Sequence, residues 1–182
     1  MENFDLIIVG TGFASSFFLK KYLEKSPETR RILILERGVF FPYTERIREA
    51  KHEKPSKEFT NIVSDQQTYH YDNPNKTWAF DPNFGGSSNC WTGCTPRFMP
   101  NDFKIKTLYG VGQDWPISYN DIEPYYTEAE DIMMIGGPLF TPLPRSKAYP
   151  LPPQKLSTVD KLLQAKYKEL YISQPTARAT IA

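Results

Sequence analysis

The segment from Phe4 to Gly38 reads FDLIIVGTGFASSFFLKKYLEKSPETRRILILERG, and it sets the fold class of the chain. An apolar run, Phe4–Val9, meets the glycine turn Gly10–Gly12. Aromatic residues then recur at helical spacing within Phe13–Lys25, and a second apolar run, Ile32–Leu35, follows a polar break. A strand, a glycine turn, a helix and a second strand in this order predict a βαβ unit of dinucleotide-binding type, with the two strands as parallel neighbours.

Each polar or small residue of this unit has a physical reason to be there. Gly10 allows the tight turn out of the first strand, and Gly12 lets the backbone approach a pyrophosphate that a Cβ would obstruct. The first N–H groups of the helix would face those phosphates. Glu36 suits the hydroxyls of an adenosine ribose, and Ser15 stands where a third glycine is usual. The alternative is a buried βαβ unit whose glycines serve packing only.

Length, charge and composition limit the remaining possibilities. A chain of 182 residues allows one domain and part of a second. A net charge of +1 gives no electrostatic footprint for nucleic acid, and no apolar run is long enough for a transmembrane segment. The first strand begins almost at Met1, so we expect no signal peptide. A cytoplasmic protein is the default expectation, and export together with a partner subunit stays open.

Between the βαβ unit and residue 84 the sequence predicts surface structure. The charged segment 45–58 reads as a solvated helix or loop, or as a lid over a ligand. Aromatic residues at alternating positions on both sides of a turn-forming sequence, Asp72–Asn75, predict a hairpin over residues 68–80. His52 and His70 fall in these two segments, outside every ligand-binding pattern. His70 could be catalytic, but a half-exposed strand histidine is the preferred interpretation, so we assign no catalytic residue.

A second informative stretch, Phe84–Phe103, reads FGGSSNCWTGCTPRFMPNDF. Small residues surround one large aromatic residue, Trp91, and such a loop can line a flat ligand with backbone N–H groups. The alternative is a glycine-rich turn that leads into a strand. Cys90 and Cys94 have no second cysteine pair and no histidine nearby, so we predict no metal site.

These residues resemble one family. The βαβ unit, the ERG ending of its second strand and the GGSS loop with its following Trp and Gly look like the glucose–methanol–choline (GMC) oxidoreductases. The continuation from Thr95 to Glu130 is similar to the branch that holds the gluconate and fructose dehydrogenase flavoprotein subunits and pyranose oxidase. The resemblance covers nearly the whole chain, and the run Gly85–Tyr126 is its most specific part.

The resemblance implies FAD rather than NAD, and oxidation of an alcohol group of a sugar, polyol or aldonate by hydride transfer to the flavin. It places residues of the glycine turn on the pyrophosphate, Glu36 on the adenosine ribose and the 84–98 loop along the flavin. The implied cofactor-binding residues are Gly10, Gly12, Phe13, Ala14, Ser15, Glu36, Ser87, Asn89, Cys90, Trp91, Thr92 and Cys94. Some relatives attach the flavin through a histidine at the position of Cys90, so its absence here implies non-covalent FAD.

The predicted fold class is α/β (α+β overall). An incomplete FAD-binding Rossmann-like βαβ domain over residues 1–112 is followed by a loop-rich segment and the helices of a partial substrate domain over residues 113–182. Ser118 and Asp121 predict a helix start, and Pro124 is expected to loosen or restart that helix. A final helix is predicted over Ser157–Leu170, and residues 174–182 read as an unstructured tail.

Members of the resembled family are considerably longer, and their catalytic histidine lies in the part that has no counterpart here. We therefore expect an N-terminal portion of a larger enzyme, inactive by itself, that works with a missing C-terminal half or an electron-accepting subunit. Two alternatives remain open. One is the Rossmann domain of an NAD-dependent dehydrogenase, and the other is a non-catalytic flavin-binding or interaction module.

Overall fold

A computed structural model describes residues 2–26, 28, 30–51 and 81–178 of the chain. The predicted hairpin at 68–80 and both histidines lie outside these residues. The chain divides into two compact units, Met1–Trp91 and Thr92–Ala182. The predicted domain boundary at residue 112 stays a prediction. The described part contains helices and a small parallel sheet, which confirms a mixed α/β structure.

The first unit begins with the predicted βαβ arrangement. Strand β1, Leu6–Val9, and strand β2, Ile32–Leu35, pair in parallel, and helix α1, Phe13–Lys25, connects them. The register sets Leu6 opposite Ile32 and Val9 opposite Leu35. Helix α2, Tyr43–Ala50, follows the second strand. Among the described residues the sheet has only these two strands, as expected if the chain leaves the sheet after Arg37.

Much of the apolar surface of this unit faces solvent. Ile8 is buried, whereas Val9 is 78% exposed and Phe18 on α1 is 54% exposed. Parallel strands normally have both faces covered, because their connecting helices pack on either side. A cavity of about 580 Å³ lies between the sheet and α1, and its lining includes Gly10 and Thr11. The predicted aromatic face of α1 is therefore only partly packed.

The second unit is built from short helices and long loops. A 3₁₀ turn, Pro100–Lys104, leads into helix α3, Ile105–Tyr109. Helix α4 spans Tyr119–Ile132, helix α5 spans Thr158–Tyr167, and a 3₁₀ turn, Lys168–Leu170, follows α5.

The predicted helix starts are present in this unit. Ser118 caps α4 in a capping box with Asp121, and Ser157 caps α5. The expected restart at Pro124 is wrong, because α4 runs through that residue without interruption. The helix continues although Pro124 cannot donate the backbone hydrogen bond that a residue with an N–H would make there.

The predicted unstructured tail is also wrong as far as the structure describes it. Thr176 exchanges two backbone hydrogen bonds with Gly136, each at 2.9 Å, and the Ala177 N–H donates to the Gly93 carbonyl at 2.8 Å. Pro175 is buried, and its carbonyl accepts from the Thr95 N–H at 3.0 Å. Residues 174–178 thus join two loops of the second unit by backbone pairing.

The core of the second unit combines apolar burial with one buried cation. Phe103 and Ile135 are almost inaccessible, and Tyr119 stacks edge-on to Phe103 with ring centroids 6.5 Å apart. Arg97 is 5% exposed. A buried guanidinium needs several acceptors, so this residue organises the side chains around it.

Candidate functional site

The glycine turn lies between the carboxyl end of β1 and the start of α1. Gly10 has a φ of +86°, a left-handed conformation that favours glycine. Its N–H donates to the Leu35 carbonyl at 2.7 Å, which ties the turn to the end of β2. A Cβ built on Gly10 or Gly12 would meet nothing within 4 Å. The turn therefore presents bare backbone to open space.

The amino end of α1 opens onto this turn. Gly12 is the N-cap residue, and no side chain caps the helix there. The first N–H groups of a helix have no intrahelical acceptor, so those of Phe13, Ala14 and Ser15 remain donors for a ligand or for water. Such donors, together with the positive end of the helix dipole, suit an anionic ligand.

Glu36 follows β2 directly and holds the glycine turn from the opposite strand. Its Oε2 accepts from the Thr11 hydroxyl at 2.6 Å and from the Thr11 N–H at 3.0 Å. Its Oε1 accepts from the Gly38 N–H at 2.9 Å. These bonds, that from the Thr11 side chain first and that from the Gly38 N–H second, hold the pKa of Glu36 below its usual value. The carboxylate therefore stays ionised at neutral pH beside the turn.

The glycine-rich loop packs on the other side of the turn. Gly85 and Gly86 have φ values of +96° and +58°, so both need the freedom of glycine. The Gly85 N–H donates to the Thr11 hydroxyl oxygen at 2.7 Å. A Cβ built on Gly86 would lie 3.8 Å from the Cα of Gly12. Two glycine segments separated by more than 70 residues thus meet backbone to backbone.

A buried carboxylate anchors this loop to the end of β2. Asp81 is 3% exposed and accepts from the Arg46 guanidinium at 2.6 Å and from the Asn83 N–H at 2.9 Å. The Asn83 side-chain oxygen accepts from the Val39 N–H at 3.2 Å. A Cβ on Gly38 would lie 2.3 Å from the Asn83 Cα, so only glycine fits there. This network sets where the loop begins.

A 3₁₀ turn, Gly86–Asn89, carries the loop to Trp91. The Ser87 carbonyl accepts from the N–H groups of Cys90 and Trp91 at 3.2 and 3.1 Å. The Trp91 ring meets the Phe13 ring edge-on, with centroids 4.9 Å apart. The loop therefore returns to the first turn of α1, where the free N–H groups lie.

The predicted cofactor residues fall into two groups. The first unit brings together the glycine turn, the amino end of α1, Glu36 and the loop residues up to Trp91. Thr92 and Cys94 belong to the second unit, where the Thr92 hydroxyl lies 3.3 Å from the Cys94 sulfur. Their predicted role stays a prediction.

Sequence reasoning missed Thr11, although this residue contacts both Glu36 and Gly85. A hydroxyl between two turn glycines is the only signal that could have marked it. The order of the chain gives no hint of its contact with Gly85.

Neither metal chemistry nor a membrane span is evident within the described part of the chain. Cys90 and Cys94 are exposed thiols, and no cluster of three potential ligands occurs among the residues that the structure describes. No helix in this part is both long and apolar enough to cross a bilayer.

Similarity to characterised proteins points to flavin oxidoreductases. The chain is 29% identical over 167 residues to the fructose dehydrogenase large subunit of Gluconobacter japonicus, which covers 81% of this chain and 31% of that protein. It is 25% identical over 197 residues to the gluconate 2-dehydrogenase flavoprotein of Pantoea cypripedii, which covers 85% of this chain and 31% of that protein. A shorter match, 42% identical over 83 residues, is to the 2-methyl-1,2-propanediol dehydrogenase of Mycolicibacterium austroafricanum and covers 33% of this chain and 15% of that protein.

No family model matches the chain, so the GMC resemblance stays a prediction. The chain spans about a third or less of the length of these relatives. All three are named as dehydrogenases and one as a flavoprotein, and these similarities are consistent with a flavin oxidoreductase.

Proposed function

We propose that this chain is the FAD-binding N-terminal portion of a GMC-type dehydrogenase that oxidises an alcohol group of a sugar, polyol or aldonate. The names of the relatives support this substrate class, since they act on fructose, gluconate and a propanediol. The flavoprotein among them favours flavin over a nicotinamide cofactor.

One observation carries the assignment of the cofactor site. The ionised carboxylate of Glu36 lies on the Gly10–Gly12 turn, beside the uncapped amino end of α1. A dinucleotide matches both features. Its anionic pyrophosphate suits the positive amino end of the helix, and its ribose hydroxyls can donate hydrogen bonds to the carboxylate. The open space at the two glycines is where a Cβ would otherwise obstruct the phosphates.

Different residues of the first unit would contact different parts of the cofactor. The backbone at Gly10 and Gly12 and the N–H groups of Phe13, Ala14 and Ser15 would bind the pyrophosphate. Glu36 would accept from the adenosine ribose. The loop residues Ser87, Asn89, Cys90 and Trp91 would lie along the flavin.

When bound, the flavin supplies the two-electron acceptor for the hydride that leaves the alcohol carbon. The chain's own residues bind and orient the cofactor. No residue that the structure describes in the first unit is a histidine, and the two histidines of the sequence lie outside the described residues. We propose that the catalytic base is supplied by a further polypeptide segment, and that an electron-accepting subunit completes the enzyme.

The name "large subunit" of the fructose dehydrogenase relative supports such an assembly. An NAD-dependent dehydrogenase and a non-catalytic binding module remain the competing functions. The first would bind NAD at the same glycine turn, and the second would bind flavin without serving any oxidation.

Titration of the purified chain with FAD and with NAD tests the cofactor assignment. We expect flavin fluorescence to be quenched on binding and NAD to bind more weakly. Glu36→Ala should weaken FAD binding by roughly ten- to a hundredfold, because a hydrogen bond to a charged group is worth about 1.5–3 kcal/mol.

Glu28→Ala is the matched control, since Glu28 is a mainly exposed carboxylate of the same unit. It should bind FAD like the wild type. Tighter binding of NAD than of FAD, or equal FAD affinity in Glu36→Ala and wild type, would refute the assignment.

A further inference from the structure

The Thr11 hydroxyl uses its donor and its acceptor capacity at once. The Gly85 N–H can only donate, so the hydroxyl oxygen accepts from it at 2.7 Å. The hydroxyl proton is then directed to Oε2 of Glu36 at 2.6 Å. The Thr11 N–H reaches the same oxygen at 3.0 Å. One side chain therefore links the ribose-side carboxylate to the glycine-rich loop.

These bonds also limit what Glu36 can still accept. A carboxylate offers about four lone-pair positions. Among the described residues, Thr11 donates two hydrogen bonds to Oε2 and Gly38 donates one to Oε1. The Arg37 N–H is a further donor to the same carboxylate. These bonds take up most of the acceptor capacity of Glu36, so a ligand would meet a carboxylate already fixed by a network that includes the loop.

We propose that Thr11 is a positioning residue of the flavin site, an inference that rests on the proposed function. Its hydroxyl holds Glu36 and the segment Gly85–Asn89 at a fixed separation across the glycine turn. A dinucleotide that spans from the ribose acid to the loop needs that separation before it arrives, because a preorganised site loses less entropy on binding. Glu36 then meets the ribose with its carboxylate already held in place.

Two substitutions separate the hydroxyl of Thr11 from its methyl group. Thr11→Val keeps the shape and removes the hydroxyl, whereas Thr11→Ser keeps the hydroxyl and removes the methyl. In a fluorescence titration with FAD we expect Thr11→Val to bind about tenfold or more weakly than the wild type. Thr11→Ser, which keeps the hydroxyl donor and acceptor, should bind FAD close to the wild type.

Thr107→Val is a matched control in the second unit. Thr107 gives both its N–H and its hydroxyl to the Asp114 carboxylate, as Thr11 does to Glu36. This variant should bind FAD like the wild type. Thr11→Ser as weak as Thr11→Val would show that methyl packing matters instead, and unchanged affinity in Thr11→Val would overturn the positioning role outright.

A measurement without ligand separates this inference from the proposed function. Amide hydrogen exchange at Gly85 should be faster in Thr11→Val than in the wild type and in Thr11→Ser, because its acceptor is lost. Unchanged exchange in Thr11→Val would overturn the link between turn and loop even if FAD binds. If Gly85 exchanges faster in Thr11→Val than in the wild type, but the wild-type chain binds no FAD, the proposed function is refuted. The role of Thr11 at the flavin is then refuted with it.

Discussion

The guanidinium of Arg97 and the carboxylate of Glu130 form a buried two-point ion pair, in which Nε donates to Oε1 and Nη2 to Oε2, each at 2.8 Å. Arg97 also donates to Glu123 at 2.8 Å and to the Tyr119 hydroxyl at 3.1 Å. Because the fork of an arginine matches a carboxylate in one plane, no other cation reproduces this set of bonds. The residue joins the segment before Pro100 to helix α4.

Removing Arg97 should destabilise the chain strongly. Arg97→Ala leaves two carboxylates without their main partner inside the second unit, and breaking a buried pair costs about 3–5 kcal/mol. Arg97→Lys should restore only part of that loss. The measurement is the free energy of unfolding in urea. Lys147→Ala removes an exposed ion pair to Asp131 and should cost less than about 1 kcal/mol. Equal losses for Arg97→Ala and Lys147→Ala would contradict the central role of Arg97.

The hydrogen bonds around Arg97 also predict that the free energy of unfolding decreases at acidic pH. The hydrogen bond from Arg97, with those from Ser146 and Thr127, lowers the pKa of Glu123 from 4.5 to about 2. A depressed folded-state pKa stabilises the fold above the unfolded value and loses that contribution as the pH falls through the folded value. The stabilisation from Glu123 should therefore be complete above about pH 4.5 and disappear towards about pH 2.

Urea midpoints across this window test the prediction. In Glu123→Gln the midpoint should be lower at neutral pH and should depend less on pH than in the wild type, because the titrating group is gone. A wild-type midpoint that rises on acidification from about pH 4.5 to pH 3 would contradict the assignment.

Two glycines of the first unit should respond differently to alanine. Gly12 has an ordinary φ of −72° and open space at its Cβ position, so Gly12→Ala should fold normally. Its methyl group would fill the space assigned to the pyrophosphate and weaken FAD binding by about tenfold or more. Gly38→Ala would press on the Asn83 backbone at 2.3 Å and should cost about 1–3 kcal/mol of stability.

Melting temperatures and FAD titrations of the two variants give the comparison. We expect a selective loss of FAD affinity for Gly12→Ala and a lower melting temperature for Gly38→Ala. A Gly12→Ala chain with wild-type affinity would mean that the glycine serves packing only.

Any flavin bound by this chain should be held without a covalent bond. The position that resembles the site of histidyl attachment is Cys90, an exposed thiol directly after the Gly86–Asn89 turn. The residue at this position is a cysteine and not the histidine that carries the covalent bond in the resembled family. Acid precipitation should leave the yellow colour in the supernatant. Colour that stays with the pellet in the wild type, and is released by Cys90→Ser, would establish a cysteinyl flavin instead.

The local parts of this structure could be read from sequence, because each depends on neighbouring residues. The two apolar runs, with the glycine turn and the helical spacing of aromatic residues between them, predict β1, α1 and β2. Ser118 predicts the start of α4. Glu36 could be placed at the turn because the carboxyl ends of parallel strands lie at the same edge of a sheet.

Contacts between distant residues could not be read in this way. Thr11 meets Gly85 across 74 positions, and Arg97 reaches Glu130 across 33. In α4 the buried residues are Tyr119 and Glu130, whereas Tyr125 is 66% exposed, and contacts with remote segments decide which of them is covered. Residues 174–178 looked unstructured because their order comes from backbone pairing with remote loops, and composition carries no signal for such pairing.

The 182-residue chain alone should show no dehydrogenase activity. Removal of a hydride from an alcohol needs a base within about 3 Å of the hydroxyl proton, and no residue assigned to the cofactor site here is suited to that role. Dye reduction with sugars, polyols and aldonates should stay at the level of the buffer, even with FAD bound, whereas a complete flavin-dependent sugar dehydrogenase should reduce the dye under the same conditions. Robust dye reduction by this chain, lost on changing either His52 or His70 to alanine, would place the base within the chain and overturn the proposal that another polypeptide segment supplies it.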